Sequence, residues 1–168
     1  MIIEKQGNLL DEKADILVHQ TNCVGAMGAG IARQIRTQLL TPAEYSKYVQ
    51  ACKTKGFKEL LGQTQLLKTV DGRLVANCFG ETVPTHDKND TDYDALMHCI
   101  NRVKNYAVKN KMSVAIPGLL GCGLAGGDWN IVRKMIYNIF ATAPEVSVTI
   151  CYFSMNEYQK YNRQPAAV

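Results

Sequence analysis

No stretch of this chain approaches the roughly 18 apolar residues that a membrane-spanning helix needs, and no segment is repeated or low in complexity. The sequence has no C-x-x-C and no H-E-x-x-H, and its three histidines are not spaced as a ligand set, so no zinc site is expected. A basic stripe is also missing. The 19 Lys and Arg against 15 Asp and Glu leave +4, scattered along the chain, whereas nucleic-acid binders concentrate such charge. Membrane and nucleic acid are therefore not expected as partners, and no metal or cofactor is expected. The N-terminus carries no secretory apolar region. The six widely spaced cysteines, Cys23, Cys52, Cys78, Cys99, Cys122 and Cys151, accordingly read as reduced thiols in a cytoplasm rather than as disulfides.

What is present suits one compact domain: 168 residues, 46% of them apolar, can bury a substantial core. Residues 2–6 and 15–20 read as strands, the second so continuously apolar that it belongs in the middle of a covered sheet. Helical spacing follows over 29–38, and again from Pro42 to the break at Gly56. "TQLLKTV" and "RLVANCF" flank Asp71-Gly72, a pair suited to a two-residue hairpin turn. Residues 80–92 are polar and turn-rich, hence a surface loop whose composition suggests motion. A helix over 93–110, a buried strand at 112–117, a helix over 129–141 and a strand at 146–153 complete the pattern. The class is α/β, with helices on both faces of a mixed sheet. The domain spans 1–155 and a polar tail, expected to fray, runs from 156 to 168.

Two glycine-rich segments stand out, "NCVGAMGAGIA" at 22–32 and "GLLGCGLAGGDW" at 118–129. Each leaves a buried strand and enters a helix, where open α/β sheets bind ligands. Free amides and the helix dipole there favour anions, and small residues let a phosphate approach. Named motifs do not fit. Gly25 and Gly30 have Walker A spacing, but Ile31 and Ala32 replace its Lys and Ser/Thr. Gly121-Cys-Gly123-Leu-Ala-Gly126 matches G-x-G-x-x-G but follows a late strand. Ala29 and Asp128 stand where a cysteine phosphatase loop would carry Arg after Cys23 or Cys122. The plainer alternative is two tight turns with Cys23 and Cys122 as small buried hydrophobes.

With these segments in order, the chain resembles the macrodomain family, whose members bind ADP-ribose. The similarity runs through "GNLL", "LVHQTNCVGAMGAGIA", "PAEYSKYVQAC", "LLGQTQLL", "NCFG", "TDYDAL" and "IPGLLGCGLAGGDW", and looks nearest the branch holding the yeast ADP-ribose-1-phosphate phosphatase and the terminal ADP-ribose glycohydrolase macrodomain. The resemblance implies a three-layer α/β/α fold around a mixed, mainly parallel, six-stranded sheet, with ADP-ribose across its crest. It implies that Asn8 and Leu9 meet the adenine, that Phe153 or Tyr152 packs on the base, and that the amides of Gly28, Ala29, Gly30 and Ile31, with those of Gly121, Cys122, Gly123 and Leu124, cradle the diphosphate. Asn22 would reach the distal ribose, as a binding residue and a catalytic candidate.

For chemistry, His19 is a candidate proton donor, or a satisfied core histidine; Asp128 could act on a water, or cap the next helix. The glycohydrolase branch carries a lysine nucleophile and a loop aspartate, where this chain has Gly80 or Glu81 and Ala125. Lys88, in the 80–92 loop, could swing in or stay solvated. The implied activity is hydrolysis of ADP-ribose 1-phosphate or of ADP-ribosyl modifications, with ADP-ribosylated macromolecules as further partners. The alternative is a non-catalytic reader of ADP-ribose.

Overall fold

Neighbouring residues of the segment Ile16–Thr21 enter two different cores. In the computed structural model, which describes residues 1–163, this strand, β2, sends Ile16 and Val18 into one core and Leu17 into the other, all fully buried. A strand covered on both faces needs an apolar residue at nearly every position, hence the unbroken run. Its neighbours are β4 (Leu74–Phe79) and β5 (Val114–Pro117), both parallel to it. Beyond β5 lie β6 (Val148–Tyr152) and β1 (Ile2–Gln6), also parallel, while β3 (Thr64–Lys68) pairs antiparallel with β4 at the other edge. The order is β1-β6-β5-β2-β4-β3.

One seam is short. β2 and β5 pair only at Ile16↔Val114 and Leu17↔Ala115, whereas β2 stays with β4 as far as Thr21↔Phe79 and β5 with β6 as far as Pro117↔Cys151.

α1 (Gly30–Gln38), α2 (Pro42–Thr54) and the single turn α3 (Phe57–Leu60) cover one face through Ile35, Tyr48 and Leu60. α4 (Tyr93–Asn110) and α5 (Trp129–Ala141) cover the other through Leu96, Ile100, Val103, Val132 and Ile136. The result is the expected three-layer α/β/α fold with a mixed, mainly parallel, six-stranded sheet.

Three local features differ from the sequence reading. The hairpin joining β3 to β4 spans 69–73 rather than two residues, and of its central pair only Gly72 has a positive φ, 86°. Thr69 shapes this longer loop, its hydroxyl donating to Asp71 Oδ1 and accepting from Arg73 N. A 3₁₀ turn at Leu9–Asp11 follows β1, with Asn8 Oδ1 accepting from Leu10 N at 3.0 Å. The stretch assigned to the tail includes a helix, α6 (Met155–Asn162), whose Tyr158 and Tyr161 pack on Tyr152; residues 164–168 lie outside the described residues.

Arg133 of α5 crosses to Glu4 of β1, and both side chains are nearly buried. Tyr137 and Tyr152 also donate to the Glu4 carboxylate, at 2.9 and 2.6 Å, and Trp129 donates to the Tyr152 hydroxyl. Burial opposes ionisation of Glu4, but these donors overcome it and hold its pKa below the ordinary carboxylate value.

Candidate functional site

Helices α2, α4, α5 and α6 each begin with a side chain that accepts from the first turn, namely Thr41, Asp92, Asp128 and Ser154. Helix α1 does not. Its N-cap is Ala29, no side chain caps it, and its first turn has no acidic residue. The opening amides of a helix have no partner within it, so those of Ala29, Gly30 and Ile31 are left to bind something else. Ala29, Gly30 and Ile31 line a cleft of about 610 Å³ along the carboxyl ends of the strands, a volume in the usual range for small-molecule sites.

The second glycine loop forms the facing part of the same cleft through Gly118, Leu119, Leu120, Gly121, Gly123 and Leu124. Leu119 adopts φ 65° without being glycine, as does His86 at 63°, and both line the cleft; such strain gathers at sites where the surrounding structure enforces it. Gly118 has a packing reason to be glycine: an added Cβ would lie 2.4 Å from the Tyr152 ring. Gly28 has none, since nothing lies within 4 Å of an added Cβ and its φ is ordinary.

The loop 80–92 and the start of α4 are tied to this second loop. Asp90 N donates to Ala125 O at 2.7 Å, Thr91 Oγ1 donates to Gly121 O at 2.6 Å, and Asp128 N donates to Tyr93 Oη. Asp90 also accepts from Thr85 N and Thr85 Oγ1. The polar composition that suggests motion is here the material of a fastening. Lys88 is exposed and does not line the cleft.

Most residues expected in the site meet there: Asn8, Leu9, Asn22, Gly28, Ala29, Gly30, Ile31, Gly121, Gly123, Leu124 and Phe153 all line the cleft. Asn8 is already engaged as the 3₁₀ cap. Phe153 is 70% exposed at one end, whereas Tyr152 is buried with its hydroxyl on Glu4, so of the two aromatics only Phe153 is free to stack. Asn22 holds its loop in shape. Its Oδ1 accepts from Val24 N, Ala26 N and Tyr48 Oη, and its Nδ2 donates to Ala26 O.

Three candidates fall outside. His19 is fully buried, with Nε2 2.6 Å from Asn77 Oδ1, and does not line the cleft. It shares its face of β2 with Leu17 and points beneath the α1 and α2 layer, a core position, but only Nε2 is satisfied: Nδ1 is buried with no hydrogen-bond partner among the described residues. Burial pushes its pKa down to about 4, although the bond to Asn77 acts the other way. Asp128 is exposed, caps α5 by accepting from Asn130 N at 2.9 Å, and lies off the cleft lining. Cys122 turns its thiol to Leu120 O and donates its amide to Leu119 O, so that amide is not free for a phosphate. Burial pushes the thiol up to about 12, the nearby Asp128 charge adding to the effect.

Residues the sequence reading passed over also line the cleft, among them Gln20, Thr21, Pro84 and His86, beside Glu81, which the resemblance sets near the branch's lysine position. They come from the end of β2 and the segment after β4, and only the pairing of those strands brings them together.

A family model described as the Macro domain matches residues 18–136. A DNA ADP-ribosyl glycohydrolase of Mycobacterium tuberculosis is 31% identical over 153 residues, covering 89% of this chain and 42% of that protein. An ADP-ribose 1″-phosphate phosphatase of the yeast Meyerozyma guilliermondii is 38% identical over 69 residues, 38% of each chain. This chain thus spans about two fifths of the length of the curated relatives it matches. Among solved structures, the macrodomain of Mycobacterium tuberculosis DarG superposes with a TM-score of 0.75 at 30% identity, covering 90% of this chain and 97% of that one.

Proposed function

The chain belongs to the macrodomain family, and from that premise we propose that its crest cleft binds ADP-ribose and hydrolyses derivatives substituted at the distal ribose, either ADP-ribose 1″-phosphate or ADP-ribosylated macromolecules. The observation that carries this reading is the uncapped start of α1, in the same cleft as the second glycine loop. Unpartnered helix amides with a positive dipole end suit an anionic group such as a diphosphate.

The cleft's two ends support the assignment of direction. Exposed Phe153 and the Asn8 segment suit a planar base that stacks and hydrogen-bonds, while Asn22, Thr21 and Glu81 suit a sugar rich in hydroxyls. The similarity to a DNA ADP-ribosyl glycohydrolase and to an ADP-ribose 1″-phosphate phosphatase supports hydrolysis over passive recognition. A cytoplasmic setting belongs to the same proposal, supported by six cysteines that are all unpaired.

Calorimetry with ADP-ribose, run beside assays for phosphate released from ADP-ribose 1″-phosphate and ADP-ribose released from an ADP-ribosylated oligonucleotide, tests both halves. Saturable 1:1 binding with turnover of at least one substrate is expected. Binding without turnover of either would make the protein a reader, and absence of binding would remove the reading altogether.

A further inference from the structure

Beyond the two glycine loops the cleft has a third polar wall, at the adjoining ends of β2 and β4. Gln20, Thr21 and Glu81 all line it, and Gln20 Oε1, Thr21 Oγ1 and Glu81 Oε2 are each buried without a hydrogen-bond partner among the described residues. Thr21 as a whole is only 3% exposed. Folded proteins rarely leave such atoms unmatched, and three along one cleft mark its wall as able to hold waters or ligand hydroxyls.

The wall is firmly built. Gln20 Nε2 donates to Thr91 Oγ1 at 3.0 Å, and Gln20 Oε1 sits where a Cβ on Gly80 would be 2.3 Å away and one on Gly121 2.9 Å away. On either side of Glu81 the main chain is anchored, Gly80 O accepting from Asp92 N and Thr82 O from Cys23 N. Position along the crest follows from the strand order. Phe153 follows β6, the glycine loops leave β5 and β2, and Glu81 follows β4. Those are three strand steps, about 14 Å were all the strands paired, and more here because β2 and β5 separate toward the crest. A ligand with its base on Phe153 and its diphosphate between the glycine loops brings its distal sugar to Glu81.

We propose that Glu81 is the catalytic base of this cleft, removing a proton from a water that attacks the anomeric carbon of the distal ribose. The inference rests on the ADP-ribose reading and narrows its substrates to ADP-ribose joined through that carbon to an oxygen or nitrogen leaving group. As the new carbon–oxygen bond forms, the bond to the leaving atom breaks and its electron pair departs with that atom. The proton held by Glu81 then passes to the leaving group, so the products are ADP-ribose and the protonated leaving group, with no covalent enzyme adduct.

The groups near Glu81 are Asp90 and His86 of its own loop and Cys23 from the loop after β2. Burial, then the negative charge of Asp90, raises the Glu81 pKa, while His86 acts to lower it; burial pushes the Cys23 thiol to about 12, so it stays neutral. A carboxylate with raised proton affinity is a stronger base than an ordinary one.

The test compares wild type, Glu81→Gln and Glu81→Asp for ADP-ribose affinity by calorimetry. It also measures single-turnover cleavage of ADP-ribose 1″-phosphate and of an ADP-ribosylated oligonucleotide across pH. Glu81→Gln should bind ADP-ribose within about threefold of wild type yet cleave at least about 100-fold more slowly, and should lose the fall in rate that wild type shows toward acid pH. Glu81→Asp should recover part of the rate together with that acid limb, and His86→Gln should keep the limb. Glu81→Gln cleaving at the wild-type rate overturns the proposal, as does wild type that binds ADP-ribose but cleaves neither probe. Wild type that fails to bind ADP-ribose overturns the parent reading instead.

Discussion

Lowering the pH should destabilise this protein through His19 in a window that the histidine's burial defines. In the unfolded chain the imidazole titrates near its ordinary value of 6.5, but in the native core burial pushes it to about 4. Between those values the unfolded chain binds a proton that the native state refuses. Stability is therefore intact above about pH 6.5 and is lost as pH falls toward 4. Below 4 both states are protonated and the loss stops growing. A displacement of that size corresponds to about 3 kcal/mol at the acid end, a large part of a typical domain's stability. Urea unfolding followed by circular dichroism at several pH values between 7.5 and 4 measures it, with His19→Gln as reference. The variant's amide can still donate to Asn77 Oδ1 but cannot titrate, and the carboxylates contribute equally to both proteins. The difference between the two pH profiles should open below 6.5 and reach about 3 kcal/mol near 4. Parallel profiles, or a proton resonance of His19 titrating near 6.5, would refute the argument.

Two further outcomes follow from other parts of the molecule. Glu4→Ala strands the nearly buried guanidinium of Arg133 and should cost about 3–5 kcal/mol by urea unfolding, most of it recovered when Arg133→Met is added. Gly28→Ala adds a methyl to open space at an ordinary backbone angle, so its unfolding midpoint should stay put while calorimetry shows ADP-ribose affinity falling about tenfold or more, because the methyl crowds the ligand rather than the protein. An unchanged affinity would remove Gly28 from the cradle.

Much of the architecture could be read from residue order alone. The doubly buried β2, the helix that begins at Pro42, the helix over 93–110, and the two glycine loops at strand ends each follow from local chemistry or short-range period. The failures are those of distance. His19 was undecidable because β2 is buried on both faces, and an apolar run does not say which face lies under a helix and which under a ligand. α6 reads as polar tail because its reason to be helical is Tyr152, against which Tyr158 and Tyr161 pack. Glu81 sits 61 residues from Gln20 in the chain, so nothing short of the β2 and β4 pairing could show that they share a wall. Asp128 illustrates the opposite lesson, since its spacing before Trp129 already spelled a helix cap.

The brief pairing of β2 with β5 gives the cleft a mechanical meaning. With only Ile16↔Val114 and Leu17↔Ala115 joining them, the sheet is two half-sheets, β1-β6-β5 and β2-β4-β3, held edge to edge along a short hem that parts toward the crest. An occupant of the opening touches loops from both halves, so it acts as a rivet across the part of the hem that the backbone leaves unstitched, and it adds to the cohesion of the whole molecule as its concentration rises above its Kd.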